Sequence, residues 1–517
     1  MDRNFLVALV LIILVLLIWS IFFTPKKPPV TPEEQAAAKP ESVEVEQPPT
    51  PALPVIPVAD SFDTPTYRIV FTQKGGGISK IYLKHHLLPK SGGWVQLVPQ
   101  GKVAFTEKVN LNGEIINLGD SLYRLIDRTD SSVTFEFVIK GDTIRKTFYM
   151  DTIDYGIRLH YELPQTTKEY EVIVPGIEAT EEWAMEYTYF SGVIRTLEGA
   201  STHPIRELAR GGHSVKGKIL WGVTKNKFFL IGLIPQSPSI GYSMWVTDLA
   251  RTAGGCGGFG CMGGGYKGYI AFSLTLEPHT TDMLIYAGPM QYKVLTDLGL
   301  RDAYYLGWRW IRPISRALLA IFYVIHRVVP NYGLVIVIVS ALIAFAFYPL
   351  NRHNQRAMVA LQRLQPKIQE LQKKYKDNPQ KLNQAIMELY REHRVNPFSG
   401  CLPLLIQMPV FFALYAVFTT TPELRGARFL WVKNLVQPDP YFILPILMGV
   451  TLFIQQRFQP QTIEQQHGMT NIIFPILITF LFMNFPAGMA LYLFTYNIVS
   501  LIQTILIRRE ELRKAQK

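Results

Sequence analysis

Six long apolar runs mark the chain, one at its start and five in its last third. The first covers residues 5–23 and contains no charged side chain. Its length suits the ~30 Å hydrocarbon core of a bilayer. The others cover residues 333–350, 401–421, 441–458, 471–485 and 487–507, each nearly free of charge. A backbone in lipid must satisfy its own hydrogen bonds, so each run predicts a membrane-spanning helix. The expected spans are residues 1–23, 331–350, 400–421, 441–458, 471–485 and 486–507. Asn484-Phe485-Pro486-Ala487-Gly488 parts the last two and predicts a tight turn between antiparallel helices. Neither a small-x-small cleavage pattern nor a lipobox cysteine closely follows the first run, which predicts an uncleaved anchor.

Between the first and second spans the pattern changes three times. Ten prolines fall between Pro25 and Pro57, so residues 24–62 read as an extended, disordered linker. Residues 63–300 then alternate apolar and polar in short runs, at 67–72, 133–140, 156–162 and 170–174, with turn residues between them. That pattern predicts an antiparallel β-sandwich. Over residues 305–330, Ile311, Ile314, Leu318, Ile321 and Ile325 recur at steps of three and four. Arg309, Arg312, Arg316 and Arg327 take the other faces. This predicts an amphipathic helix in the outer interface, anchored by Trp308 and Trp310.

A second amphipathic region follows the second span. Ala357, Leu361, Leu364, Ile368, Leu371 and Tyr375 are spaced four and three, as in a heptad seam. Asp377-Asn378-Pro379 breaks the seam, and Leu382, Ile386 and Leu389 resume it. Residues 351–397 are therefore expected to fold as two short antiparallel helices. Pro366 falls inside the first, where it should kink the helix at about 3 kcal/mol unless offset. A spacer and a basic docking arm both fit. As an arm, it would present Lys373, Lys374 and Lys376, with Arg508 and Arg509 from the tail at 508–517.

Charge sets the orientation. The 351–397 loop carries ten Lys and Arg against four Asp and Glu, and the tail carries five against two. Basic loops face the cytoplasm, so both termini are expected inside and the sandwich outside. Lys26 and Lys27 argue weakly the other way. The formal net charge of +12 then reads first as topology rather than nucleic-acid binding, and DNA is not an expected partner. Only 18% of the 517 residues are charged, below the roughly 25% of soluble domains.

Candidate chemistry is sparse. His85, His86, His160, His203 and His213 lack metal-ligand spacing, and no metal or cofactor is expected. Gly258-Phe259-Gly260-Cys261-Met262-Gly263 fits G-x-G-x-x-G, but a strand-like run follows it where a helix is required. It reads as a loop, not a nucleotide site. Cys256 and Cys261 are either a local disulfide or two free thiols.

Several motifs in the last third closely resemble the YidC family. They are Gln365-Pro366-Lys367-Ile368-Gln369, Val395-Asn396-Pro397, and the run from Gly400 through Leu402-Pro403-Leu404-Leu405-Ile406-Gln407-Met408-Pro409-Val410-Phe411. Asp439-Pro440-Tyr441-Phe442-Ile443-Leu444-Pro445 and Phe485-Pro486-Ala487-Gly488 belong with them. The resemblance covers residues 305–510. It implies a polytopic α-helical membrane protein of six spans with a five-helix core and an inserted periplasmic antiparallel β-sandwich. It implies a non-enzymatic insertase and chaperone in the inner membrane of a bacterium with two membranes. A hydrophilic groove would receive nascent transmembrane segments and release them to lipid. The implied partners are the ribosome, the Sec translocon, and the targeting machinery with its signal recognition particle receptor. The family's intramembrane arginine position, four residues before Tyr348, holds Ala344 here. The polar groove candidates are Ser340, Gln407, Asn484 and Asn497, each with an alternative role as interhelical glue. Met408, Phe411 and Tyr492 match the family's substrate-contact face; packed or lipid-facing residues would look the same.

Two other classes compete. A solute transporter would show internal repeats and midplane charges, and neither is present in the sequence. A membrane-anchored carbohydrate-binding or carbohydrate-modifying protein would make the sandwich the working part. Deleting the sandwich separates that reading from an insertase, which should keep its activity.

Overall fold

The computed structural model of the chain describes residues 58–89, 91–150, 154–181, 186–251, 266–376, 378–393, 395, 402–458 and 468–515. The expected anchor at 1–23, the linker up to residue 57, and Cys256 and Cys261 with their glycine-rich loop lie outside the described residues. The chain divides into two compact units, Met1–Gly288 and Pro289–Lys517.

Two antiparallel sheets build the first unit. The smaller has four strands in sequence order, Val58–Asp63, Tyr67–Thr72, Gly77–Leu87 and Trp94–Gln96. Pairing begins at Val58, inside the segment whose prolines read as linker, because Val58–Asp63 finds a partner in Tyr67–Thr72. The larger sheet has 14 strands and runs from Glu114–Asn117 at one edge to Arg124–Arg128 at the other. Period-two alternation places Tyr67, Ile69 and Phe71 in the core while Arg68 faces out. Phe71 bridges the sheets, with its ring 5.3 Å from Phe148 and 6.0 Å from Phe135. This is the sandwich that the alternation predicts. A short helix, α1 (Ile205–Leu208), packs beside it.

An ion pair lies at the centre of the sandwich. Lys146 Nζ is 2.6 Å from Glu107 Oε2, and both side chains are wholly buried. The ammonium also donates to the carbonyls of Gly75 (2.6 Å) and Phe105 (3.2 Å). Glu107 in turn accepts from the hydroxyls of Tyr161 (3.2 Å) and Tyr123. Burial pulls the Lys146 pKa down against the opposing pull of Glu107. Gly75 reaches this ammonium with φ +62°, and a Cβ there would lie 2.6 Å from Thr106 Cγ2 and 2.8 Å from the Gly119 carbonyl. Only glycine fits.

Glu186 is a second buried carboxylate. It accepts from the backbone amides of Thr180 (2.6 Å) and Glu181 (2.7 Å). Burial nevertheless outweighs these bonds and pushes its pKa up to about 7. A raised acid pKa favours the protonated folded state. Its contribution is therefore full below the ordinary value near 4.5 and is lost as pH rises through about 7. Thermal melts of the solubilised chain should show stability falling across that window, by at most about 1.4 kcal/mol per pH unit from this group. Glu186→Gln should flatten the fall; an unchanged pH profile would assign it to other groups.

The second unit is helical. It comprises α2 (Tyr292–Asp297), α3 (Arg312–His326), α4 (Tyr332–Ala346), α5 (Tyr348–Arg363), α6 (Gln365–Lys374), α7 (Pro379–Glu392), α8 (Leu402–Thr420), α9 (Ile443–Phe458), α10 (Gly468–Phe482) and α11 (Ala487–Ala515). Among the described residues, Ala487–Glu510 alone is long and apolar enough to cross a membrane unaided. Tyr332–Ala346 and Tyr348–Leu361 reach that length only together, across a 54° bend. Pro349 has no N–H for the carbonyl one turn back, which favours a bend there. Gln407–Thr420, Ile443–Arg457 and Ile473–Phe482 are apolar but shorter.

Two expectations change at the helical level. The apolar stripe of α3 divides: Leu318, Leu319 and Phe322 are buried, while Ile321 and Val324 are exposed. The reason is that α3 packs on α8, with Phe322 and Phe418 rings 5.5 Å apart, so it needs one apolar face for protein and another outward. Pro366 does not kink a helix. The chain breaks at Leu364, and Pro366 sits in the first turn of α6, where a missing N–H costs nothing. The seam itself holds: Leu364, Ile368 and Leu389 form a small core against Leu371, Ile386, Tyr390 and Val395.

Candidate functional site

The helix α11 is the hub of the second unit. Its residues Tyr492, Tyr496, Ser500, Gln503 and Thr504 are spaced to share one helix face. Four of them reach four different helices. The Tyr492 hydroxyl accepts from Gln407 Nε2 of α8. Tyr496 hydrogen-bonds Asn351 of α5. Ser500 Oγ accepts from Gln455 Nε2 of α9 at 2.9 Å, and Gln503 Nε2 donates to the Ala344 carbonyl of α4 at 3.1 Å. Thr504 turns back to the Ser500 carbonyl.

This stripe is neutral. Among the described residues of α4, α8, α9, α10 and α11 up to Ile507, the single Lys, Arg, Asp or Glu is Arg457 at the end of α9. Just beyond, Arg352 Nη2 grips both oxygens of Glu510 at 2.5 and 2.7 Å, and Arg356 stands 3.6 Å away. Several buried polar atoms near this end have no hydrogen-bond partner among the described residues: Arg352 Nε, both amide atoms of Asn354, Gln456 Oε1 and Gln503 Oε1. Each such orphan costs about 1–3 kcal/mol unless water or another molecule satisfies it.

The sequence candidates scatter over this frame. Gln407 is half-buried and joined to Tyr492. Ser340 is buried and bonds its own helix, donating to the Ile336 carbonyl at 2.6 Å. Asn497 is buried on α11, and Asn484 is exposed in the turn before it. Met408 is 37% exposed and Phe411 half-buried, its ring 6.1 Å from Phe482. Tyr492 is wholly buried, as is Ala344. Lys373, Lys374 and Lys376 are exposed around the end of α6, and Arg508 and Arg509 are exposed on α11. Sequence reasoning missed Asn351, Arg352 with Glu510, Gln455 and Gln503. Polar residues at steps of four and three within an apolar run were the available signal, since such residues face protein rather than lipid.

A helical unit with a polar inner face, joined in one chain to a β-sandwich, defines a membrane protein with an extramembrane domain. A family model described as 60Kd inner membrane protein matches residues 324–515, and one described as YidC periplasmic domain matches residues 61–319. The chain is 32% identical over 486 residues to membrane protein insertase YidC of Geobacter sulfurreducens, covering 86% of this chain and 85% of that one. It is 28% identical over 544 residues to membrane protein insertase YidC of Geotalea daltonii, covering 98% and 99%. A crystal structure of an active YidC insertase with its first transmembrane domain resolved aligns at 18% identity, over 87% of this chain and 94% of that one, with TM-score 0.38.

The chain belongs to the YidC family of membrane protein insertases. It is an inner-membrane protein with a periplasmic domain, and its family is one of insertases rather than enzymes.

Proposed function

We propose that the helical unit receives a nascent transmembrane segment in a hydrophilic groove among its nearly charge-free helices and hands it to the bilayer. The supporting observation is the set of buried polar atoms on Arg352, Asn354, Gln456 and Gln503, in α5, α9 and α11, that have no partner among the described residues. Carrying a polar flank through hydrocarbon costs several kcal/mol for each unsatisfied group. A polar path shortens the dry distance and lowers that barrier. Burying the substrate's ~20 apolar residues drives the step, so no nucleotide is required. Met408 and Phe411 supply accessible apolar surface for the segment to slide on, and Gln407 with Tyr492 closes the polar path at its outer end. Asn484 and Asn497 complete the polar set, and Ser340 does so through its helix.

In this reading residues 1–23 are a first span, and both termini face the cytoplasm. The hairpin at 351–397 and the tail are the docking arm for the ribosome, with the Sec translocon and the signal recognition particle receptor as further partners. The test is insertion of a short single-span substrate into liposomes containing the purified chain, read by protease protection. Wild type should insert above protein-free liposomes, and removal of the β-sandwich should leave insertion intact. Gln407→Ala should slow insertion by up to about tenfold, through the loss of the half-buried hydrogen bond to Tyr492. Wild-type insertion no faster than in protein-free liposomes sinks the reading.

A further inference from the structure

Outer loops of membrane proteins are usually poor in lysine and arginine. The connection between α8 and α9, residues 421–442, runs against that bias with Arg425, Arg428 and Lys433. Its two acids do not balance them, because both are engaged inside the fold. Glu423 accepts from the Tyr323 hydroxyl of α3 at 3.0 Å. Asp439 accepts from Trp431 Nε1 at 3.1 Å and from the Leu444 amide at 2.7 Å. Arg428 and Lys433 are exposed, and neither has an acidic partner among the described residues.

A two-residue hairpin sets their direction. Phe429 and Val432 exchange both backbone hydrogen bonds, at 2.9 Å each. Opposed side chains share a face, and successive ones alternate. Phe429 and Val432 turn inward: Val432 is buried, and a Cβ on Gly333 of α4 would strike the Phe429 ring. Arg428 and Lys433 therefore turn outward together. The Gly333 contact fixes the height, since this glycine lies in the first turn of α4, where the apolar run 333–350 begins. That is the level of the lipid headgroups. Asn331 Nδ2 donates to the Arg428 carbonyl at 3.5 Å and ties the hairpin to the α3–α4 junction, where Arg327 and Val328 are also exposed. The fold itself does not explain the tip. Leu430 is 74% exposed and holds φ +51°, a left-handed conformation that suits glycine or asparagine and strains a bulky side chain. A leucine there gains nothing from water and would be favoured among acyl chains.

We propose that this hairpin is a lipid anchor: Leu430 inserts among the acyl chains of the outer leaflet while Arg428 and Lys433 hold the phosphate of an anionic phospholipid. This rests on the topology of the insertase reading. Arginine offers the phosphate two parallel donors, and lysine adds a point charge. Arg327, at the neighbouring junction, adds to the positive field. A zwitterionic lipid carries its own cation, which these residues repel, so the site selects net negative charge.

The experiment mixes the detergent-purified full chain with equal amounts of phosphatidylglycerol and phosphatidylcholine of the same acyl chains, and counts retained lipids by native mass spectrometry. Wild type retains more phosphatidylglycerol per chain than the double variant Arg428→Gln with Lys433→Gln, while phosphatidylcholine is unchanged. Each single change weakens capture of that lipid by about fivefold, the usual effect of one cation near an anionic surface. Leu430→Asn relieves the backbone, so it melts no lower than wild type, yet it retains less of the lipid. Equal retention of phosphatidylglycerol by wild type and the double variant overturns the proposal. So does displacement of the lipid by excess inorganic phosphate, which would make this a free-anion site. If the double variant fails to fold, as judged by its melt, Leu430→Asn decides alone, and wild-type retention by it overturns the proposal. Counting lipids requires no insertion, so the two readings fail separately. A chain that holds the lipid at the hairpin but inserts no substrate loses only the insertase reading. One that inserts substrate while the double variant keeps every lipid loses only this proposal.

Discussion

Lys146→Met should cost the β-sandwich about 3–5 kcal/mol, the toll of leaving one member of a buried ion pair uncompensated. The mutation keeps the side chain's length and removes only its charge and donors. Glu107 would then face the core with its two tyrosine partners alone, and the Gly75 and Phe105 carbonyls would lose their donor. For a domain of this size the loss corresponds to a fall in Tm of about 6–20 °C. Adding Glu107→Gln to the same chain should restore part of it, because the stranded charge is gone. Thermal melts of the three proteins check the claim. Equal melting of Lys146→Met and wild type would mean that water reaches this centre and screens it. Insertion of short substrates at permissive temperature should be unaffected if, as proposed, the insertion path lies in the helical unit.

Gly449→Leu should disrupt the helical unit rather than the sandwich. α9 and α10 meet at Gly449, where a Cβ added to the glycine would collide with Thr479 Oγ1. Thr479 is a short, branched side chain that already bonds the Pro475 carbonyl at 2.7 Å, so it has little room to yield. Close helix approach through a small residue is a principal source of packing energy in membranes. The expected outcome is overpacking at the upper end of the usual ~1–3 kcal/mol or beyond, with poor recovery of folded protein and a large loss of insertion. Gly449→Ala should lie between. Retention on size exclusion in detergent and the insertion assay measure both, and a monodisperse, active Gly449→Leu protein would show that α9 and α10 separate freely.

Much of this architecture was legible beforehand because the periods differ. Alternation at 67–72 and 156–162 reproduced two strands residue for residue, as Tyr67–Thr72 and Gly156–Glu162. The heptad seam located the hairpin core on Leu364, Ile368 and Leu389. Terminal positions and faces were harder to read. Pro366 reads as an interior proline because the periodicity runs straight through the break at Leu364, and only backbone geometry separates two successive helices from one. In α3 and its N-cap the stepped apolar positions do not share one environment: Ile311 and Leu318 are buried while Ile321 is exposed, because one helix serves two apolar surroundings. The groove was the least legible part. Asn484 and Gln407 attract notice equally as lone polar residues, yet one is exposed in a turn and the other joins α8 to α11. The pairings of Gln503 with a backbone carbonyl and of Glu510 with Arg352 are separated by 159 and 158 residues in sequence, and nothing local announces them.

The helix α11 has 29 residues, which at 1.5 Å each makes a rod of about 44 Å. Such a rod outruns a ~30 Å hydrocarbon layer by about two and a half turns. The overhang is fastened through Glu510 to the base of α5, directly after the bend in the second span. A load attached to the tail is therefore transmitted along a stiff lever to that bend. Pulling on the C-terminus in a force experiment should register at the hairpin base before any helix unwinds.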